Sequence, residues 1–179
     1  APTLSLLRVR EANGDIETRV IHVATAETAA SGLTGLQNFR FGKAVTPPFP
    51  FVHGAGDVLP SMIESIEANQ QRGLHTLVYL DIKIDSHAEM AVEDPFMRAS
   101  EAAGLLAESW GDELAVVVAR AGGPDPVVVA DRLSTLAEQS FGEPLHLLVI
   151  PGELHHVEAD AIEALAGAPA ELLPDETDR

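Results

Sequence analysis

Apolar residues are distributed along the chain in two kinds of pattern. Continuous apolar runs are typical of strands covered on both faces of a sheet, whereas apolar residues three or four positions apart are typical of packed helices. The first pattern predicts strands at residues 18–23, 74–84, 114–119, 127–130 and 146–150. The second predicts helices at residues 4–12, 25–38, 61–71, 94–110, 131–140 and 155–165. Because strands and helices alternate, we predict an α/β fold with a parallel or mixed sheet.

Local signals place the ends of two helices. Ser61 and Glu64 have the spacing of a capping box, and Gly73 follows where a helix stop is expected. Asp94 is predicted as an N-cap with Pro95 as the first helical residue, since proline is well tolerated there.

The charge composition limits the classes of partner. The 179 residues include 28 acidic and 11 basic side chains, for a net charge of −17, and only two of the bases are lysine. This balance argues against binding to nucleic acid through phosphate neutralisation. Cysteine is absent, so thiolate chemistry is excluded. The acid excess favours a cytoplasmic protein of a halophile, because strong salt screens the self-repulsion of such a chain.

Candidate ligand positions follow the predicted strands. Ligands of open α/β sheets bind beyond the carboxyl ends of strands. Small residues dominate four such ends, at residues 22–26, 80–81, 120–123 and 151–152. Small side chains let the backbone approach a ligand closely, so we expect a small polar molecule held largely by main-chain groups.

A group of histidines and carboxylates near residue 155 invites a metal interpretation. His155 and His156 are adjacent and would point to different faces of a helix, whereas a helical zinc pair needs a spacing of four. We therefore interpret these histidines, with Glu153 and Glu158, as solvated side chains at a helix start, and we predict no metal site.

The amino-acid sequences of several segments resemble those of a known protein family. The segments occur in one order, at residues 32–43, 72–83, 116–122 and 141–152. Two of these segments together are specific for that family: Arg-Gly-Leu-His-Thr-Leu, which begins at residue 72, and Pro-Gly-Glu-Leu-His, which begins at residue 151. Over nearly its whole length the chain resembles the archaeal diphthine synthases, the methyltransferases of the diphthamide pathway. Its acidic bias resembles the haloarchaeal members.

The resemblance implies a tetrapyrrole-methylase-like fold. Such proteins resemble one another in having two α/β domains with S-adenosylmethionine in the cleft between them, and in forming homodimers. The family's opening strand with its Gly-rich turn, and its later Gly-Asp-Pro segment, have no match in this sequence. We therefore expect residues 1–44 to be the remainder of the N-terminal cofactor-binding domain, residues 45–168 the C-terminal mixed-sheet domain, and residues 169–179 a loose tail.

The resemblance also implies an activity and a set of contacts. The family uses S-adenosylmethionine to methylate the amino group of the modified histidine of translation elongation factor 2, which gives diphthine. The matching cofactor-binding positions are Thr25, Ala26, Leu80, Ala121 and His146. The first match is either the pair Thr25 and Ala26 or the pair Ala26 and Glu27. Both stay open because the spacing from His22 to Gly32 is one residue longer than in many relatives. The resemblance assigns no catalytic residue.

Two alternatives remain open at this stage. A tetrapyrrole methyltransferase of the same fold is the first, and the two specific segments favour the protein-modifying branch over it. A non-catalytic dimerising fragment is the second, and the unmatched upstream cofactor motif keeps it open. A methyltransferase needs no acid–base dyad, since the sulfonium of its methyl donor is already activated.

Overall fold

The computed structural model of the chain describes residues 25–48, 55–80 and 96–174. The helices in these ranges are α1 (Ala26–Thr34), α2 (Ala55–Gln70), α3 (Ala99–Ser109), α4 (Leu133–Ala137) and α5 (His156–Ala166). The strands are β1 (Thr76–Tyr79), β2 (Leu114–Ala119), β3 (Val127–Arg132) and β4 (His146–Ile150). The elements predicted at residues 4–12 and 18–23 lie outside the described residues. No helix within the described ranges combines the length and the apolar character needed to cross a membrane.

The four strands form one sheet in the order β1-β4-β2-β3, and every neighbouring pair is antiparallel. Of the predicted parallel or mixed sheet, the parallel alternative is therefore wrong for these four strands. A continuous apolar run indicates that a strand is buried on both faces, but it carries no information on strand direction. The short connection from β2 to β3 forms a hairpin, which makes these two strands antiparallel. Parallel pairing in the described ranges is confined to two isolated bridges alongside β1, at Phe41 with His75 and Val45 with Val78.

Helices cover both faces of the sheet. Helices α2, α3 and α4 pack on one face, and α1 and α5 pack on the other. Along β2, Val117 belongs to the first cluster and Val116 to the second, as the alternation of a strand requires. This arrangement explains why β2 and β4 are apolar at nearly every position, and both have the bounds that the pattern predicts.

Several helix boundaries differ from the prediction. Helix α2 begins at Ala55, with Pro60 in its interior, so Ser61 is not its cap. Helix α3 begins at Ala99, five positions after the predicted cap at Asp94, which lies outside the described residues. Its capping carboxylate is Glu101, which accepts the backbone N–H of Arg98 at 2.7 Å. The helix therefore begins later than the proline suggested, at a point where Glu101 caps the backbone N–H of Arg98.

Two further segments also depart from the pattern. Strand β3 continues to Arg132, two residues past its predicted end, which leaves α4 with five residues in place of a predicted ten. The tail predicted as loose from residue 169 instead forms a 3-10 turn at Ala170–Leu172, and Leu173 is buried in the core on the α5 side. Residues 175–179 lie outside the described part of the chain.

Candidate functional site

A cavity of about 540 Å³ opens at one edge of the sheet. Because β4 is antiparallel to both of its neighbours, β1 and β2 end at this edge and β4 begins there. Helix α1 contributes a further wall. The lining residues are mostly small or apolar: Ala26, Ala29, Tyr79, Leu80, Val118, Arg120, Ala121, Gly122, Leu145, His146 and Leu147. The volume and the apolar character are those of a small-molecule site.

The structure brings together four of the five residues that the family resemblance marks for cofactor binding. Ala26, Leu80, Ala121 and His146 all line this cavity, although they come from four separate elements and loops. Thr25 is adjacent but is not among the lining residues. Three of the four predicted strand ends therefore meet here, through Ala26, Leu80 and residues 120–122. The fourth does not, because Gly152 lies at the opposite edge of the sheet. Asp81 and residues 22–24 lie outside the described residues.

Thr25 begins helix α1. Its Oγ1 accepts the backbone N–H of Thr28 at 3.3 Å, and the Thr28 hydroxyl accepts the backbone N–H of Thr25 at 2.9 Å. This reciprocal cap fixes the first turn of α1, and with it the position of Ala26 on the cavity wall. Ala26 is common to both matches that the sequence left open, so the geometry does not choose between Thr25 and Glu27.

His146 is held rigidly by the main chain. It is only 4% exposed. Its Nδ1 accepts the N–H of Ala99 at 3.2 Å, which assigns the ring proton to Nε2, and that atom donates to the Glu143 carbonyl at 3.1 Å. Burial, together with the charges of Arg98 and Arg120, lowers the pKa of His146. The ring is therefore a neutral, fixed part of the wall, with both of its nitrogens already engaged.

The β1 side of the cavity carries a hydrogen-bonded pair. The Tyr79 hydroxyl donates to Glu27 Oε1 at 3.1 Å, and Tyr79 is 37% exposed. Hydrogen bonds from its own amide, from Thr25 and from Tyr79 lower the pKa of Glu27. Burial and then the neighbouring carboxylate raise the pKa of Tyr79. Glu27 is therefore a carboxylate at neutral pH, and this side of the rim is negative.

A second polar cluster lies at the opposite edge of the sheet, around Glu158. This side chain is fully buried, and its two oxygens accept four N–H groups. Oε1 accepts the amide of Gln37 at 2.8 Å and His75 Nε2 at 2.9 Å. Oε2 accepts Arg40 Nη1 and the amide of His155 at 3.0 Å. One carboxylate thus joins the loop after α1, the start of β1 and the start of α5.

His75 and Arg40 complete this cluster. Gly152 donates its N–H to His75 Nδ1 at 3.1 Å, so the ring proton is on Nε2 and the ring is neutral. Burial lowers the pKa of His75 in spite of Glu158. Arg40 also donates to the carbonyls of Gly73 and Glu153. Burial acts to raise the pKa of Glu158, but its hydrogen bonds outweigh that effect and the pKa is lowered.

The sequence pattern misses this cluster. The prediction of a solvated Glu158 is wrong, because partners far away in sequence bury it; His155 and His156 are exposed as predicted. The signal that could have found it is the pair of specific segments, since His75 belongs to the first and Gly152 to the second. Among the residues that the structure describes, no group of three or more His, Asp or Glu side chains is arranged to hold a metal ion.

Comparisons with known proteins agree with this architecture. No protein-family model matches the chain. The diphthine synthase of Halorubrum lacusprofundi is 64% identical over 169 residues, which are 93% of this chain and 64% of that protein. A crystal structure of a diphthine synthase superposes with a TM-score of 0.66 at 36% identity, over 96% of this chain and 63% of that one. A putative diphthine synthase from Entamoeba histolytica gives 0.68 at 30% identity, over 94% of this chain and 67% of that one.

The sheet and its two helical layers are those of a tetrapyrrole-methylase-like fold. Within that class, the chain belongs to the diphthine synthase family. Its relatives include proteins of halophilic archaea, in agreement with the acidic composition. The chain spans about 64% of the length of the curated relatives that it matches.

Proposed function

We propose that this chain forms part of an S-adenosylmethionine-dependent methyltransferase of diphthamide biosynthesis. Its substrate would be translation elongation factor 2, at the amino group of the aminocarboxypropyl arm on the modified histidine. The single observation that carries the proposal is the convergence of Ala26, Leu80, Ala121 and His146 on one cavity. These are four of the five positions that the family resemblance implies for cofactor binding.

The lining residues fit a nucleoside-based ligand. Ala26, Ala29 and Ala121 carry only a methyl group, so a planar ring and the main chain can come close together. Leu80 and Val118 supply apolar surface that excludes water. The neutral, immobilised imidazole of His146 offers a flat wall that needs no rearrangement when a ligand binds. S-adenosylmethionine, when bound, supplies an activated methyl group.

The contribution of the protein itself is to align the reactants. An amine must be neutral and in line with the methyl–sulfur bond before it can attack, and a fixed apolar wall holds reactants in one geometry. His146 is a poor proton acceptor, because protonation at Nδ1 would break its bond from the Ala99 amide. The residues described at this edge therefore position and desolvate the ligands, and the proton passes to another group or to water.

Calorimetric titration tests the proposal most directly. S-adenosylmethionine is titrated into the full-length protein and into this chain, both in concentrated potassium chloride. Saturable binding to the full-length protein, with methyl groups transferred to unmodified elongation factor 2 and detected by mass spectrometry, is the expected result. No binding and no transfer by the full-length protein would refute it.

We also propose that the protein is a homodimer, which light scattering in the same buffer measures.

A further inference from the structure

Arg120 occupies an unusual backbone position on the cavity wall. It follows β2 directly and has a φ of 54°, in the left-handed region that disfavours residues with a Cβ. Its N–H donates to the Leu145 carbonyl at 3.2 Å, and its own carbonyl accepts the N–H of Gly123 at 2.8 Å. The turn thus holds an arginine where glycine would be less strained. Such strain is often retained where a side chain serves a site.

Arg120 is a positive group on the cavity wall of an otherwise acidic chain. Acidic residues outnumber basic ones 28 to 11, yet no carboxylate in the described ranges forms an ion pair with this exposed arginine. Its guanidinium lies beside Gly142, whose carbonyl accepts Arg98 Nη1 at 3.1 Å. Burial lowers the pKa of His146, and the charges of both arginines lower it further. This end of the cavity therefore favours a negatively charged group.

The opposite side of the same cavity has the opposite sign. Glu27 and Tyr79 lie at the end of β1, and Arg120 lies at the end of β2, with the start of β4 between them. Two strand spacings separate β1 from β2, or roughly 10 Å. A negatively charged group of a ligand is thus attracted to the β2 side of the cavity and repelled from the β1 side. A ligand with one negative end should therefore bind in one orientation.

We propose that Arg120 binds the carboxylate of an amino-acid group that enters this cavity. The inference rests on the proposed function, in which two reactants carry such a group: the methionine part of the cofactor and the aminocarboxypropyl arm of the substrate. A guanidinium matches a carboxylate with two parallel N–H donors, which gives orientation as well as affinity. Arg120 would thus fix one end of a ligand whose other end reacts.

Binding measurements on the full-length protein separate the two sources. The probes are S-adenosylhomocysteine, which has the carboxylate, and 5′-methylthioadenosine, which lacks it. Each is titrated into wild type, Arg120→Gln, Arg120→Lys and the matched control Arg132→Gln, which removes an exposed arginine at the far end of β3. The KM and kcat for methylation of elongation factor 2 are measured on the same four proteins.

We expect Arg120→Gln to weaken one carboxylate-bearing ligand about tenfold or more. Weaker binding of S-adenosylhomocysteine, with unchanged binding of 5′-methylthioadenosine, assigns the cofactor carboxylate to Arg120. Unchanged nucleoside binding with a raised KM for the elongation factor, at similar kcat, assigns the substrate arm. Arg120→Lys keeps the positive charge but lacks the two parallel N–H donors of a guanidinium. Its affinity for the carboxylate-bearing ligand should therefore lie between those of wild type and Arg120→Gln. Arg132→Gln should behave like wild type.

Arg120→Gly guards against a purely structural effect. Glycine adopts the left-handed conformation readily, so this variant keeps the turn while it removes the guanidinium. We expect it to fold like wild type and to bind like Arg120→Gln. Wild-type affinities and KM in both Arg120→Gln and Arg120→Gly would overturn the role of Arg120 and leave the proposed function intact. A wild-type protein that binds neither nucleoside would overturn both proposals together.

Discussion

Replacement of Glu158 by glutamine tests the buried cluster that joins three segments of the fold. The carboxylate accepts two N–H groups on each oxygen. A glutamine amide has one oxygen and one NH₂ group. Whichever oxygen it replaces, the NH₂ group faces two N–H donors that it cannot satisfy. Either rotamer of the new side chain therefore leaves two buried donors unpaired, and one of the two rotamers also sets the amide against Arg40.

The magnitude follows from those two donors and the lost charge. A buried donor without a partner costs about 1–3 kcal/mol, and removal of one member of a buried ion pair costs about 3–5 kcal/mol. These effects overlap, so we expect the free energy of unfolding to fall by about 3–5 kcal/mol. For a chain of this size the melting temperature should drop by roughly 6–20 °C.

Chemical and thermal unfolding, followed by circular dichroism in concentrated potassium chloride, measures this loss. Glu67→Gln is the matched control, because Glu67 is exposed on α2 and the same chemical change there should alter stability by less than about 0.5 kcal/mol. If Glu158→Gln is as stable as Glu67→Gln, the cluster does not hold the three segments together and the reasoning fails.

Four further results are expected. Ala121→Trp should abolish saturable binding of S-adenosylmethionine by filling the cavity, whereas the exposed control Ala164→Trp should bind normally in the same titration. Because the folded-state pKa of His75 lies below its ordinary 6.5, the unfolded chain binds more protons as the pH falls below 6.5 and stability should decline there; the lowered pKa of Glu158 adds a further loss below 4.5. Denaturant titrations across pH would contradict this if they gave a flat profile. Thr25→Ala should cost about 1 kcal/mol through loss of the helix cap, as read from its unfolding midpoint. The protein should lose stability in dilute buffer, where 28 acidic side chains repel one another unscreened; equal melting temperatures at low and high salt would refute the halophile interpretation.

Burial in the sheet could be predicted from the sequence, because it needs only local information. The continuous apolar runs of β2 and β4 identify strands covered on both sides, and the structure gives both of them their predicted bounds. Strand direction could not be predicted in the same way, since a run of valines is equally suited to parallel and antiparallel neighbours. The antiparallel order follows instead from connections and long-range pairing.

The candidate site was accessible only through resemblance. Leu80 and Ala121 have the chemistry of ordinary core residues, and nothing in their type distinguishes a cavity wall from a packed interior. Glu158 shows the opposite difficulty. Its position at a helix start indicates solvent, but His75, 83 residues away in sequence, takes it into the interior. Contacts at such separations leave no periodic trace in a single sequence.

The two ends of β1 have different consequences for how this protein can change over evolution. His75, just before the strand, is fixed in the Glu158 cluster, whereas Tyr79 and Leu80, roughly 16 Å further along, face the cavity. Drift at the cavity end can alter ligand preference while the fold is secured at the other end. A scaffold divided in this way can tolerate new specificities, because the segment Arg-Gly-Leu-His-Thr-Leu supplies His75 to the Glu158 cluster and no residue to the cavity lining.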